Sequence, residues 1–273
     1  MKNVRSTIAI CLFLLPIVTQ GQSEFTHLFS TGQMGYRGRV QTVQRTDFCM
    51  DAEHKLFVTT AEVYNQAGMR TAMSTVGLQD ETDERYEYLP DGRLHLFVSS
   101  NNYCVDSVVY VYDSLGCLFG FSEYLISKTG DENSVTDNLI TCDGHCRPLV
   151  QVNVWGDSTV YRYDSLGRPV YKTIPGAVER YSYDADGRLT LVRSGEGRYL
   201  DFHIRYDERG DTAETWYSDW EQDLPVRPTV LIRNKYTYTD YDDHGNWTKA
   251  TIDVIDDKEQ HAITVVRTFS YYD

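Results

Sequence analysis

The sequence predicts an all-β protein in which tandem antiparallel β-hairpins form a twisted, curled repeat sheet. Three observations support this fold class: a recurring tyrosine, aspartate and glycine unit, alternating apolar and polar residues after each unit, and no long segment with helical periodicity. The composition agrees, because 21 tyrosines and 10 phenylalanines supply residues that favour strands. These observations define the scaffold better than they define its ligand.

The recurring unit is Y-x-Y-D-x-x-G-R, which reads YRYDSLGR from Tyr161 and YSYDADGR from Tyr181. A third copy reads YVYDSLG from Tyr110, and degraded copies begin at Glu62, Tyr86, Ile140, Ile204 and Thr239. In the Ile140 copy, Gly144 follows Asp143 directly, so the glycine is out of step with the other copies. The residues that define the two best copies are Tyr161, Tyr163, Asp164, Gly167, Arg168, Tyr181, Tyr183, Asp184, Gly187 and Arg188.

Each part of the unit has a physical reason that predicts one β-hairpin per copy. Two tyrosines spaced by one residue point to the same face of an extended strand. The Asp-x-x-Gly tetrad is typical of a type I turn, in which the aspartate caps the following amides and the glycine adopts a left-handed conformation. The alternation resumes after the glycine as the return strand.

A single hairpin is at best marginally stable in water, so the copies are expected to pair edge to edge and share an aromatic face. Each cross-strand aromatic pair contributes roughly 0.2 to 1 kcal/mol. The right-handed twist of the strands would curl the growing sheet.

These repeats resemble the YD repeats of the RHS-repeat family, which occur in large bacterial surface and toxin-carrier proteins. The resemblance covers residues 86–273 well, as a YD-repeat hairpin region, and residues 22–85 loosely, as N-terminal strands continuous with the same sheet. The stretches GYRGRVQTVQRT and RTFSYYD resemble the opening and closing strands of small exported YD-repeat proteins. The resemblance implies successive hairpins in a spiralling sheet and a short exported member of the family.

Residues 1–21 read as a secretory signal peptide, with Lys2 and Arg5 ahead of an apolar run from Ile8 to Val18. No later stretch is apolar enough to span a bilayer as a helix. The expected localisation is therefore outside the cytoplasm, in the periplasm, on the outer surface or secreted.

The charge balance argues against nucleic acid and membrane-surface partners. The whole chain carries a formal charge of −14, which becomes −16 when Lys2 and Arg5 leave with the signal. Such an acidic surface repels phosphate backbones and anionic lipid head groups, so no nucleic acid partner is expected. The oligomeric state is left open.

Five cysteines follow the signal, namely Cys49, Cys104, Cys117, Cys142 and Cys146, and their pairing is left open. A bridge between Cys104 and Cys117 is one possibility if the two face each other across a hairpin.

The densest group of potential metal ligands is Cys142, Asp143, His145 and Cys146, but no second ligand pair lies nearby in the sequence. Turn capping accounts for Asp184 and Asp186. No metal or other cofactor is predicted.

No catalytic motif accompanies the seven histidines, so a non-enzymatic scaffold or binding protein is predicted. Trp216, Tyr217 and Trp220 form the best candidate ligand-binding cluster, because tryptophan and tyrosine stack on sugars and anchor protein interfaces. The predicted partner is a glycan or a surface protein. The alternatives are a shell or partner for a separately encoded toxin-type protein and, third, a hydrolase.

Overall fold

The computed structural model describes residues 34–50, 55–77, 81–130, 133–174, 176–196, 198–221, 229–256 and 260–273. All regular secondary structure in these residues is β-strand, which confirms the all-β prediction. The described part of the chain has no helix of the length and apolar character needed to cross a membrane. The predicted signal peptide lies outside the described residues.

The strands, in chain order, are β1 (Val40–Met50), β2 (Lys55–Tyr64), β3 (Arg70–Val76), β4 (Glu81–Tyr88), β5 (Leu94–Ser100), β6 (Cys104–Tyr112), β7 (Leu118–Ser127), β8 (Ser134–Cys142) and β9 (Pro148–Asn153). They continue as β10 (Ser158–Tyr163), β11 (Pro169–Ile174), β12 (Ala177–Tyr183), β13 (Leu189–Glu196), β14 (Arg198–Tyr206), β15 (Thr212–Glu221), β16 (Thr229–Tyr241), β17 (Trp247–Asp256) and β18 (Gln260–Tyr271).

The sheet closes into an antiparallel barrel, so the prediction of a curled repeat sheet is wrong. Every strand pairs with its sequence neighbours, and β1 pairs with both β2 and β18. The closing ladder runs from Val40 opposite Tyr271 to Cys49 opposite Ile263. The repeat unit predicts only local hairpins, whereas closure depends on the pairing of the first and last strands.

The two faces of the barrel differ in burial. Tyr161 and Tyr181 are each 7% exposed, whereas the outward neighbours Arg162 and Arg180 are exposed. Side chains converge on the concave side of a closed sheet and diverge on the convex side, so the tyrosine face is the inner face. Buried residues of this inner face include Val43, Tyr64, Tyr110, Phe202 and Val265.

Turns that carry the full repeat unit are held by their aspartate and arginine, as the Asp164 turn shows. Asp164 Oδ1 accepts hydrogen bonds from the backbone amides of Leu166 and Arg168, both at 2.9 Å, and Asp164 Oδ2 accepts one from Arg168 Nε at 2.8 Å. Gly167 closes the turn at φ +80°, a left-handed conformation that favours glycine. These contacts hold the carboxylate as an acceptor and keep the pKa of Asp164 below its usual range.

The same arginine also links one hairpin to the next. The guanidinium carbon of Arg168 lies 4.5 Å from the ring centroid of Tyr183, and the Tyr183 hydroxyl donates to the Pro169 carbonyl at 2.8 Å. A Cβ placed on Gly187 would lie 3.5 Å from Arg168 Nη1, so the arginine also lies against the next turn. The same cation–π link joins the pairs Arg93 and Tyr112, Arg147 and Tyr163, and Arg188 and Tyr206. In the next turn Asp211 takes the arginine position, and Arg209, which precedes the turn glycine, contacts Tyr241 instead.

A disulfide between Cys117 and Cys146 takes the place of one such link. Cys117 occupies the arginine position of its turn, and Cys146 occupies the glycine position of the next turn with φ at 60°. Because Cys146 takes the glycine position, Gly144 lies two positions earlier than the turn glycine of the other copies. The possible Cys104–Cys117 bridge is not formed, since Cys104 and Cys142 are free thiols. The described residues contain no group of three or more His, Cys, Asp or Glu side chains placed to hold a metal ion.

The rim where the barrel closes is held by the segment that precedes β1. Asn246 Oδ1 accepts a hydrogen bond from the Arg37 amide at 2.6 Å, and Asn246 Nδ2 donates to the Arg37 carbonyl and to the Tyr271 hydroxyl, each at 2.8 Å. Arg37 Nη1 donates to the Gly245 carbonyl at 3.2 Å. Arg37 therefore lies against the Gly245 turn in the way that Arg168 lies against the Gly187 turn.

The inner face near the closing strands carries charged groups in contact with aromatic rings. Arg45 donates two hydrogen bonds to Asp47, both at 2.7 Å, and lies opposite Arg267 in the closing ladder. The Arg267 guanidinium lies 3.4 Å from the Trp247 ring centroid. Burial lowers the pKa of Arg267, and the nearby Arg45 acts in the same direction.

Candidate functional site

The outer face of β13–β16 carries a cluster of polar and aromatic side chains, here called the Trp216 cluster. Its members occupy alternate positions on four adjacent strands, and the ladder pairings place them side by side. They are Arg193, Asp201, His203, Arg205, Glu214, Trp216, Ser218 and Arg233.

Trp216 stands at the centre of the cluster, flanked on its two sides by its ladder partners. Its ladder partner on β14, His203, stacks on it with a centroid distance of 4.6 Å and an interplanar angle of 5°. Its ladder partner on β16, Arg233, places its guanidinium carbon 5.9 Å from the indole ring. The indole therefore presents its edge, rather than a face, to the solvent.

Beside this stack, on the same outer face, lies a polar layer formed by Asp201 and Ser218 that is more buried than is usual there. Asp201 and Ser218 are each 3% exposed, although they face each other across β14 and β15 on the convex side. Arg193 donates two hydrogen bonds to the Asp201 carboxylate, at 2.8 and 2.7 Å. This bidentate pairing satisfies the buried charge and orients the Arg193 guanidinium.

His203 is held by its stacking on Trp216 and by a contact with Ser218 in the polar layer. Its Nε2 lies 3.1 Å from Ser218 Oγ, within hydrogen-bond distance. Burial lowers the pKa of His203, Asp201 opposes that effect and Arg193 adds to it. The imidazole is therefore neutral at pH 7 and serves as a packing and hydrogen-bonding group.

The serine and histidine resemble a nucleophile and its base, but the arrangement does not support hydrolysis. Ser218 is 3% exposed, so its hydroxyl is not open to a substrate. Both Asp201 oxygens accept hydrogen bonds from Arg193, so the carboxylate is engaged by a cation rather than orienting the imidazole. The cluster can position donors and hold a ligand.

A second ion pair flanks the tryptophan. The Glu214 carboxylate, in a residue only 8% exposed, accepts hydrogen bonds from Arg205 at 3.1 and 2.8 Å and lies 3.5 Å from Arg233 Nε. Lys235 is its ladder partner on β16. Cations therefore outnumber carboxylates around Trp216. Next to the cluster is an open depression of about 270 Å³, lined by Val230, Leu231, Arg233, Lys235, Ile255 and Asp256.

The structure separates the three residues that the sequence grouped as a ligand site. Trp216 lies on the outer face, whereas Tyr217 points inward and packs on Phe202 with ring centroids 4.8 Å apart. Trp220 lies in β15 opposite Tyr199, and its side chain is outside the described residues. Neighbouring strand residues face opposite sides, so Trp216 and Tyr217 cannot share one surface.

Sequence reasoning missed the polar members of the cluster. The sequence does show alternate polar positions on two strands. One set is Asp201, His203 and Arg205, and the other is Glu214, Trp216 and Ser218. Each set reads as polar residues on one face of a strand. Only the ladder register shows that the two sets stand against each other, and register is not available from one strand alone.

Comparison with known proteins assigns no family. No family model matches the chain, and no curated protein matches it. The chain is similar to a porin-like protein from Bacteroides uniformis, with a TM-score of 0.44 and 11% identity over 85% of this chain and 96% of that one.

Two toxin assemblies also match. The Tc holotoxin pore of Photorhabdus luminescens gives a TM-score of 0.25 with 14% identity over 81% of this chain and 18% of that one. A TcdB2–TccC3 structure gives a TM-score of 0.25 with 12% identity over 81% of this chain and 19% of that one. This chain therefore spans about a fifth of the toxin chains it matches, with 18% and 19% of them covered. Similarity of this degree assigns no function, and membership of the RHS-repeat family stays a prediction.

Proposed function

We propose that this chain is an exported, non-catalytic binding protein that holds carbohydrate on its outer face at the Trp216 cluster. The barrel is the scaffold, and the cluster is the part of the outer face where buried polar groups fix side chains in place. Such fixed groups lower the cost of ordering a binding surface, because their rotamers are already set.

The observation that carries the proposal is the row of hydrogen-bond donors around the edge-on indole. The ion pairs with Asp201 and Glu214 hold Arg193 and Arg205, while Arg233 lies against the indole ring. Guanidinium groups donate several hydrogen bonds in a fixed plane, and an indole N–H donates one. A surface rich in donors suits a ligand rich in acceptors, and sugar hydroxyls and ring oxygens are such acceptors.

A second candidate function is a shell or partner for a separately encoded toxin-type protein, and one observation favours it. The sheet closes on itself through the β1–β18 ladder, which is the geometry an enclosing shell requires. The two functions differ in which face makes contact. A shell uses the inner face, so substitution of Trp216 on the outer face would leave its partner bound.

The carbohydrate proposal predicts that Trp216→Ala weakens glycan binding by at least about tenfold, which corresponds to roughly 1.4 kcal/mol. The substitution removes the ring that positions His203 and Arg233. Binding is measured on a glycan array that includes neutral and acidic sugars, followed by titration of the best ligand.

The matched control is Trp155→Ala, which removes a 69% exposed tryptophan from a turn outside the cluster. Trp216→Phe keeps a ring in the stack and separates packing from loss of the indole N–H. Thermal unfolding of each variant verifies folding. Absence of binding to every glycan by the wild-type chain, or equal binding by Trp216→Ala, contradicts the proposal.

A further inference from the structure

We infer that the ligand of the outer face is an acidic polysaccharide, a glycan chain that carries carboxylate or sulfate groups. The inferred charge class rests on the proposed function, because it describes the ligand of the same surface. It is drawn from cations that lie beyond the Trp216 cluster and that the sequence reasoning left unassigned.

A row of arginines extends from the Trp216 cluster across the outer face. The ladders place Arg162 on β10 opposite Tyr171 on β11, Tyr171 opposite Arg180 on β12, and Arg180 opposite Arg193 on β13. The Arg162 guanidinium lies 5.0 Å from the Tyr171 ring centroid. With neighbouring strands about 4.8 Å apart, the three steps of this row span about 14 Å.

Two of these cations lack a carboxylate partner in the part of the chain that the structure describes. Arg162 and Arg180 are exposed, and neither guanidinium lies within ion-pairing distance of a described Asp or Glu. Arg180 also stands directly opposite Arg193. The Arg193 charge is paired with Asp201, whereas Arg180 keeps an uncompensated positive charge beside it, which an anion bound at this position would neutralise.

The charge of this surface contrasts with the charge of the whole protein. Three adjoining rows of outward residues on β10–β16 form what is here called the arginine face. It contains six cations and two carboxylates, a net charge of +4, or +3 when Asp253, the ladder partner of Lys235 on β17, is included, on a chain of net charge −14. The cations are Arg162, Arg180, Arg193, Arg205, Arg233 and Lys235, and the carboxylates are Asp201 and Glu214. A local excess of this size concentrates anions at the face while the rest of the surface repels them.

The shape of the face favours a single flexible polyanion over a duplex. Double-stranded DNA carries one charge per about 1.7 Å and extends far beyond a 14 Å row, so its phosphates would meet the acidic remainder of the surface. A polysaccharide carries one acidic group per sugar or per few sugars, and each can pair bidentately with one guanidinium. Aromatic spacers such as Tyr171 and the Trp216 edge lie between the cations, where the uncharged parts of sugar rings would pack.

The test uses the secreted chain and three polyanions: polygalacturonate, alginate and dextran sulfate. The neutral reference is the carboxyl-reduced form of polygalacturonate, which keeps the backbone and removes the charge. Dissociation constants are measured by titration calorimetry at two salt concentrations. At least one polyanion is expected to bind at least about tenfold more tightly than the neutral polymer, with affinity that falls as salt rises.

Two double variants locate the effect. Arg162→Gln with Arg180→Gln is expected to weaken polyanion binding at least about tenfold, because it removes the two unpaired cations. Arg85→Gln with Lys249→Gln is the matched control, since it changes the net charge equally at exposed positions outside the arginine face. The control is expected to change binding less than about twofold.

The outcomes separate the charge class from the proposed function. Equal binding of the neutral and acidic polymers would overturn the charge class and leave carbohydrate binding in place. Binding of a glycan on the array but of none of the three polyanions would also overturn the charge class. DNA that binds as tightly as the best polyanion, or equal losses in the two double variants, would contradict the assignment to the arginine face. No binding to any carbohydrate would remove the proposed function itself.

Discussion

Arg70→Ala is expected to lower the free energy of unfolding by about 3–5 kcal/mol, because it removes one member of a buried charged network. Arg70 is 4% exposed, donates to the Tyr86 hydroxyl at 2.6 Å and lies 3.8 Å from the Glu84 carboxylate. The Tyr86 hydroxyl in turn donates to Glu84. Burial already raises the pKa of Glu84, which shows that its charge is costly where it lies. Without Arg70 that carboxylate has lost its nearby cation.

Urea denaturation followed by circular dichroism measures this loss. Arg85→Ala is the control, since Arg85 is an exposed arginine on the outer face of the same strand as Glu84, and its loss is expected to cost less than about 0.5 kcal/mol. The double variant Arg70→Met with Glu84→Gln removes both charges and is expected to recover part of the stability. A loss below about 1 kcal/mol for Arg70→Ala would show that the inner network is not packed as described.

Asn246→Ala is expected to lower the free energy of unfolding by about 2–4 kcal/mol, since three buried or half-buried groups lose their partner at once. Asn246 is 5% exposed and contacts both the amide and the carbonyl of Arg37. Its third partner is the Tyr271 hydroxyl. The substitution therefore releases the N-terminal segment from the last turn and weakens the seam of the barrel.

Asn65→Ala provides the matched control for the seam. Asn65 also caps a hairpin turn, where its Oδ1 accepts hydrogen bonds from the Ala67 and Met69 amides at 3.0 Å each, but these contacts are local to one turn. Its loss is expected to cost about 1 kcal/mol. Thermal unfolding of the two variants in parallel compares a local cap with a seam contact, and equal losses would mean that Asn246 is only a turn cap.

The sequence could predict those parts of the fold that depend on neighbouring residues. Asp164 and Gly167 are three positions apart and build one turn, so their types and spacing are enough to predict a hairpin. The alternation of Tyr161 and Tyr163 likewise predicts which residues share a face. All-β structure follows from these local rules.

The contacts between hairpins could not be predicted in the same way. The stacking of Arg168 on Tyr183 explains why arginine recurs in the unit, but the unit alone does not say which ring receives it. The Cys117–Cys146 disulfide likewise links two successive turns, because it joins the arginine position of one turn to the glycine position of the next. Without knowledge of the inter-hairpin link, the five candidate cysteines allowed several pairings.

Closure and the binding surface depend on register over long distances. Thr42 and Ser270 are 228 residues apart, and no local pattern specifies that they meet. The Trp216 cluster needs the ladders of four strands at once, so composition could identify Trp216 but not Asp201 or Ser218. The arginine face combines seven strands in the same way, which is why the net charge of the whole chain concealed it.

Closure of the barrel is tested most directly by a cross-link between its first and last strands. Thr42 Oγ1 and Ser270 Oγ lie 2.6 Å apart on the outer face of β1 and β18. The variant Thr42→Cys with Ser270→Cys is made in a background of Cys49→Ser, Cys104→Ser and Cys142→Ser, oxidised, digested and analysed by mass spectrometry. Thr60→Cys with Thr75→Cys, whose hydroxyls lie 3.4 Å apart across β2 and β3, controls for oxidation within a local hairpin. A closed barrel predicts an intramolecular peptide bridge between positions 42 and 270 in the monomer at a yield similar to the control. A bridge that forms only between chains, or none while the control is bridged, would show that the sheet is open.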